Sequence, residues 1–405
     1  MRRKSILFIL CISFICTSCQ NIGDFQKANE EKEQSQEKDI RENQGYDLPI
    51  EEEKKVEVTK DCKNIMDSIR DTYLEFNGMQ ETEQENVKIM MNQMKDIVKQ
   101  KGYPVIGLDH YSVMENYQKM EMFLNNARRK EKGNIILYEI DIDGGIIRNE
   151  YTYDGENMFV MSAKMLWSDD IESQLTYISF SRIKEWKYTD YGNFCYKVCV
   201  PEPPEVTEIV DGSCIIRVRP LSEKCLEYSE KYVASLGYQG NNLLCSNWNK
   251  ENMQELDYNG MFEYLYNMKF GEKFHSEAVL TGIPADEFES VIMTYLPVTA
   301  EELKEWAVYD EQSNTYAWQR LGCGNYAPTH FGLSLPEVTE IKHNEDGTVV
   351  LIINAVCDSV MCNDAVVTHE LTMKIQNDGN FYYLGNQILN DEINKIPEYQ
   401  YRFGN

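Results

Sequence analysis

The sequence predicts an α+β protein in which helices pack on antiparallel meander sheets, in two such units that follow a disordered tether. Three observations carry this expectation. Apolar residues recur at helical spacing from about residue 59 to 129. The period then switches to two, with Asp-Gly pairs punctuating the runs. The same order, helices and then alternating strands, returns between about 249 and 388. A chain of 405 residues with 42% hydrophobic content is long enough for two or three domains and apolar enough to bury real cores.

The first unit is expected over 59–245. Ile65, Ile69, Tyr73 and Leu74 mark one helix. Val87, Met90, Met91, Met94, Ile97 and Val98 mark a second, which ends near Gly102 and Pro104. A methionine stripe can form an adaptable binding face, but at this spacing core packing is the expected role. Ser112 and Glu115 have capping-box spacing and are expected to open a third helix that runs to about Arg129. Strands follow in NIILYEIDIDGG, IIRNEYTYDGE, NMFVMSAKMLW and QLTYISFSRIKEWKYTD, with turns at Asp143-Gly144 and Asp154-Gly155, where hairpins need positive φ. FCYKVCV, PEVTEIV and SCIIRVRPL are expected to continue the sheet, with a turn at Asp211-Gly212. A helix over Ser222–Leu236, stopped by Gly237, is expected to close the unit.

The second unit is expected over 246–405. An aromatic helix spans 249–270, and Pro284 starts another that carries Phe288, Ile292, Tyr295 and Leu296. Thr299 and Glu302 form a second capping-box pattern. TYAWQRL, LPEVTEIKHN, TVVLIINAVC, AVVTHELTMKI and FYYLGNQIL read as strands, with turns at Asp346-Gly347 and Asp378-Gly379. PEVTEI occurs at 204–209 and at 336–341, each time ahead of an Asp-Gly turn and an apolar strand. Internal duplication and convergent strand chemistry both account for that repeat. The order of this unit, with its ending THELTMKIQNDGNFYYLGNQI, resembles the cone-shaped α+β fold of the nuclear transport factor two-like superfamily and cystatin-like folds. Such domains host enzymes, ligand pockets and interaction modules, so the resemblance implies a fold and no activity.

The N-terminus carries the most specific motif. Arg2, Arg3 and Lys4 precede an apolar run, SILFILCISFICT, that is shorter than the roughly 20 residues needed to span a bilayer. Thr17-Ser18-Cys19 then resembles the lipobox of bacterial lipoproteins, with Cys16 standing where leucine is usual. The resemblance implies a signal peptide over 1–18, cleavage before Cys19, and a diacylglycerol thioether on Cys19. Two acyl chains, at about 0.8 kcal/mol per buried methylene, hold a protein stably where one chain is marginal. Residues 19–58 are rich in Glu, Gln, Lys and Asn and are expected to form a disordered acidic tether. As a whole, the chain resembles a family of uncharacterised lipoproteins of Gram-positive anaerobic bacteria with a domain of unknown function. That implies an extracytoplasmic location at the cell membrane and no known activity.

The net charge of −27 repels nucleic acid, and no nucleic-acid partner is expected. It also opposes a body lying flat on anionic lipid, so the lipid is the expected contact with the membrane. No GxSxG, phosphate loop or dinucleotide fingerprint occurs, and no cofactor, metal or catalytic residue is assigned. The five histidines lack metal spacing: His369-Glu370 opens like a zincin motif, but the second histidine is missing. Asp141-Ile-Asp143-Gly144 has a fragment of a calcium loop without its full ligand set and reads as a hairpin turn. Asp169 with Asp170, and Glu301 with Glu302, are acidic pairs that serve acid–base chemistry only if the fold brings them into a cleft. Nine cysteines lie beyond Cys19. Cys195 and Cys199, four apart on one strand, stand about 13 Å from each other and are too far to bridge. Cys357 and Cys362 flank a four-residue loop and can face each other across a hairpin, a candidate disulfide.

These features fit a non-enzymatic binding or interaction module whose partner is an unknown protein or small ligand. Two alternatives stand beside it: an envelope-acting hydrolase that uses a carboxylate pair, and a structural docking component of an envelope complex.

Overall fold

The computed structural model describes residues 44–76, 84–109, 111–208, 210–275, 281–322, 329, 331–357 and 365–403. Its architecture is α+β, with a curled seven-stranded sheet, a four-stranded sheet and a small three-stranded one.

Two long helices come first, α1 (Glu52–Phe76) and α2 (Gln84–Gln100). On α1, Val58, Cys62, Ile65, Met66 and Ile69 make one buried stripe at helical spacing. That helix begins six residues before the expected end of the tether. Glu52 and Glu53 sit in its first turn, where they favour the positive end of the helix dipole, and Val58 is fully buried. Met90, Met91, Met94 and Val98 of α2 are buried against α1, so the methionine stripe is core.

The seven strands follow in chain order: β1 (Val105–Gly107), β2 (Gly133–Ile140), β3 (Ile146–Tyr153), β4 (Met158–Trp167), β5 (Ser173–Tyr188), β6 (Asn193–Val198) and β7 (Ser213–Arg217). β1 pairs with β2 in parallel and every other pair is antiparallel. The turns at Asp143-Gly144 and Asp154-Gly155 lie where expected, with Gly144 at φ +75° and Gly155 at φ +102°, whereas Asp211-Gly212 leads into β7 without the expected turn. α3 (Tyr117–Arg128) crosses between β1 and β2.

The period of two sends alternate residues to opposite faces. Tyr138, Ile140, Ile146, Met161, Ala163 and Met165 face α1 and α2. Leu137, Tyr151, Val160, Phe194 and Tyr196 face the other way, where α3 covers part of the sheet with Met120, Phe123 and Leu124. Each such side chain contributes about 1.5–3 kcal/mol when fully buried, so both faces are firmly held.

Beyond β7 come α4 (Glu223–Tyr232), α5 (Tyr258–Phe270), α6 (Ala285–Tyr295) and α7 (Ala300–Trp306). Between and after them run β8 (Ile283–Pro284), β9 (Tyr309–Asp310) and β10 (Thr315–Tyr316). The four-stranded meander closes the chain: β11 (Leu335–His343), β12 (Thr348–Val356), β13 (Thr368–Ile375) and β14 (Phe381–Ile388), paired antiparallel in that order. Thr299 and Glu302 make the expected reciprocal capping box on α7.

Five further local expectations are corrected. Ser112 and Glu115 cap nothing: Ser112 Oγ accepts from the Gly107 amide at 2.8 Å, and α3 starts only after Asn116, at φ +52°. Residues 201–208, which include the first PEVTE, form turns and bends, while the second copy is strand β11, so the repeat is not one of structure. The aromatic helix starts at Tyr258, capped by Asp257, and TYAWQRL is strand only at Thr315–Tyr316. Finally, α4 was expected to close the first unit, but Cys225, Tyr228, Tyr232, Val233 and Leu236 pack into the core of the four-stranded sheet. Ser229 Oγ accepts from the Val338 amide at 2.9 Å and fixes α4 on β11.

Candidate functional site

The two large sheets meet around a cavity of about 770 Å³. Its floor is the face of the seven-stranded sheet that α3 leaves uncovered. There Glu139 of β2, Asn149 of β3, Ser162 of β4, Tyr177 of β5, Tyr196 of β6 and Cys214 of β7 each send one side chain into the space. They come together through register: Asn149 pairs with Ser162 and Tyr196 with Cys214. Alternation carries the row, because Leu137 and Tyr151, two residues along from Glu139 and Asn149, lie in the apolar core on the same face.

The opposite wall is apolar and comes from the second half of the chain: Leu333, Leu335 and Val356. The segment Leu108–Val113 and the stretch holding Pro220, Leu221 and Leu226 close the sides. Leu108, Tyr177 and Leu333 are 43%, 44% and 50% exposed, so apolar groups line a mouth that opens to solvent.

The walls are tied by polar contacts. Arg217 donates from Nε to Glu337 Oε1 at 3.0 Å, and its Nη2 meets the other carboxylate oxygen, a two-pronged pair that joins β7 to β11. The Tyr111 hydroxyl donates to the Pro336 carbonyl at 2.6 Å. Behind the 108–113 segment, Lys95 is buried and donates to Ser112 Oγ at 3.1 Å and to the Val113 carbonyl at 3.2 Å. Burial lowers its ammonium from the usual lysine range, against the opposing pull of Asp109 and Glu115.

Glu139 is the chemically distinctive group. Its carboxyl is half-buried, because cavity solvent reaches it while protein surrounds it. Burial pushes its pKa up to about 7; the Asn149 hydrogen bond pulls the other way, and Asp141 adds a smaller upward push. Ser162 Oγ donates to Asn149 Oδ1 at 2.6 Å, which turns the Asn149 amide nitrogen toward Glu139. Beside it, the hydroxyls of Tyr151 and Tyr196 lie 3.1 Å apart, and burial raises both phenols well above their usual range.

The residues singled out from sequence lie elsewhere. Cys19 and Cys362 are outside the described residues, so neither the lipid attachment nor the Cys357–Cys362 pairing is placed. Cys357 is buried just past β12, beside the cavity residue Val356. Asp169 and Asp170 are exposed in the β4–β5 turn, and Glu302 is engaged in the α7 cap, so neither acidic pair enters a cleft. Asp141 and Asp143 shape a hairpin: Asp143 Oδ1 accepts from the Gly145 amide at 2.9 Å, and Asp141 Oδ2 pairs with Lys164 at 2.7 Å. His369 is core. Its ring lies 2.8 Å from the Tyr238 hydroxyl and 2.6 Å from Asn386 Oδ1, and burial lowers its pKa to about 4. Among the described residues, no group of three or more His, Cys, Asp or Glu side chains could hold a metal ion. None of their helices is long and apolar enough to cross a membrane.

Residues 55–402 match the model of DUF6070, described as a family of unknown function. The chain belongs to that family. The match runs from inside α1 to Arg402 and includes every residue that lines the cavity. No curated protein and no solved structure matches the chain.

Proposed function

We propose that this protein is a membrane-anchored extracytoplasmic lipoprotein that binds a small ligand in the cavity between its two large sheets. One observation carries the binding reading: a cavity of about 770 Å³ with apolar walls, an open mouth and a convergent row of polar groups on its floor. That size suits a small organic molecule, and a few polar groups in an apolar setting are what orient one. The lipid anchor rests on the lipobox-like Thr17-Ser18-Cys19 behind its basic and apolar leader.

Native mass spectrometry of the protein, extracted gently from its own membranes, tests the binding reading. A small molecule that leaves on denaturation, and that is missing from a Leu335→Trp variant with a narrowed cavity, is the expected result. A protein that carries no such molecule and gains no thermal stability from any member of a metabolite library overturns it. Labelling with an alkyne fatty acid tests the anchor: the label is expected to vanish in Cys19→Ala.

Glu139 favours one second reading, an envelope-acting hydrolase. A carboxyl that titrates near 7 in a cleft suits a general acid, and Asp109 and Glu337 share the cavity. Against it, Glu337 is committed to Arg217. Turnover of envelope glycan fragments that disappears in Glu139→Gln would favour this reading over simple binding.

A further inference from the structure

We propose that the cavity recognises an organic cation with an apolar body, its protonated amine held against Glu139 and its chain lying along Leu108, Leu333 and Leu335. This deepens the binding reading above and rests on it.

The charges around the cavity are unequal. Asp109, Glu139 and Glu337 line it together with one cation, Arg217. Two guanidinium nitrogens of Arg217 are spent on Glu337, so that pair is internally balanced. Asp109 lies within electrostatic reach of Lys95. Glu139 has no such balance among the described residues. Its hydrogen-bond partner is the neutral Asn149 amide, and its nearest charged neighbour is Asp141, itself paired with Lys164. The titratable groups that face it from neighbouring strands are Tyr151 on β3, Lys164 on β4, Tyr177 on β5, Tyr196 on β6 and Cys214 on β7; the one cation among these, Lys164, is paired with Asp141 at 2.7 Å.

A carboxylate in such a setting is short of a positive partner that the described residues do not supply. A bound ammonium supplies it, and the low polarity of the walls strengthens the attraction over its value in water. Tyr177 and Tyr196 also line the space, and an aromatic ring favours a cation placed over its face. An anion meets its own sign of charge on this floor and is repelled, and a neutral molecule leaves Glu139 as it is. The apolar wall opposite suits the rest of the ligand. The cation therefore needs an aliphatic or aromatic body and cannot be a bare metal ion.

The raised pKa of Glu139, about 7, adds a signature. Above that pH the carboxylate is charged and attracts an amine; below it the group is neutral. Affinity for an amine should therefore rise between pH 6 and pH 8. The other charged groups at the cavity are Asp109, Glu337 and the Arg217 that pairs with Glu337.

Calorimetric titration of the purified protein with octylamine, octanol and octanoate is the test. At pH 8, octylamine is expected to bind at least about tenfold more tightly than octanol, and octanoate most weakly. The preference for octylamine should fall below about threefold at pH 5.5. It should fall equally in Glu139→Gln at pH 8, a variant that keeps a polar partner for Asn149. The pH arm needs no mutation, so the inference is tested even if the variant does not fold. If octanol or octanoate binds but octylamine is not preferred, or if its preference survives both low pH and Glu139→Gln, the cation inference fails and binding in the cavity stands. If none of the three binds, the binding reading fails with it.

Discussion

The two faces of the seven-stranded sheet handle buried charge in opposite ways. Toward α1 and α2, β3 presents Arg148, which is 1% exposed. Its guanidinium reaches Glu150 at 3.0 Å and Asp61 of α1 at 3.2 Å, and Lys54 of α1 pairs with Glu150 in turn. One residue later in the strand the opposite face begins, and Asn149 leads to Glu139, a carboxyl held by a neutral amide at the edge of a cavity. A charge taken out of water is tolerated when matched by a partner, and a mismatch moves its pKa instead. The helix face therefore behaves as structure, with its charges closed into a network. The cavity face keeps an unmatched group at the one place where a ligand can reach it. The difference separates a charge kept for the fold from one available to function.

The largest expected effect tests the structural side. Arg148→Ala removes one member of the network and leaves Glu150 half-surrounded by protein with only Lys54 to balance it. Breaking a buried pair in this way costs about 3–5 kcal/mol. Urea denaturation at pH 7 should show that loss without a change in affinity for a cavity ligand. A loss under about 1 kcal/mol would put Arg148 in the same class as Glu139 and remove the contrast.

Titration gives the next effects, and their signs oppose each other. His369 has its pKa lowered to about 4 from an ordinary 6.5. The unfolded chain therefore binds its proton first as pH falls. Its contribution is present above pH 6.5 and is lost as pH drops toward 4, an effect of about 3 kcal/mol. Glu139 is shifted upward, from 4.5 to about 7. The folded chain holds that proton longer, so the associated stability is present below pH 4.5 and is lost as pH rises through 7. Cavity solvent screens the group, and about 1–2 kcal/mol is the expected size. Denaturation across pH 4–8 should show the acid-side loss disappear in His369→Leu, set against a wild-type control for the cost of the substitution itself. In Glu139→Gln the loss above pH 5 should disappear. If Glu139→Gln leaves the neutral-pH slope unchanged, the cavity face stores no electrostatic strain.

The sequence made some of this legible. Asp143-Gly144 and Asp154-Gly155 marked their turns because a hairpin needs positive φ and glycine meets that need locally. Thr299 and Glu302 marked a helix start for a similarly local reason. Ser112 and Glu115 carried the same spacing and failed, because Lys95 and the Gly107 amide compete for the Ser112 hydroxyl from elsewhere in the chain. The two copies separate in the same way: the second, PEVTEI, has β12 to pair with, and turns hold the PEVTE of the first. The helix α4 was assigned to the wrong unit because its apolar stripe shows that it packs and not on what. The cavity left the least trace. Its floor takes one residue from each of six strands, and only register unites them. The single clue was Glu139 in ILYEIDID, an ionisable residue at an inward position of an otherwise apolar strand.

The smallest effect sharpens the comparison most, because it alters Glu139 without touching it. Ser162 holds the Asn149 amide in the orientation that favours the carboxylate. Ser162→Ala removes that hydrogen bond at a cost of about 1 kcal/mol or less. With its donor no longer fixed, Glu139 loses part of the interaction that opposes burial, and its pKa should rise further. Carbon-13 NMR of the glutamate side-chain carboxyls, followed through pH 5–9, reads that shift directly. The Glu150 signal on the other face should stay put, since Arg148 and Lys54 hold its pKa below the ordinary value despite its burial. Equal movement of both signals would mean that the sheet transmits the change as a whole, and the two faces would no longer count as independent.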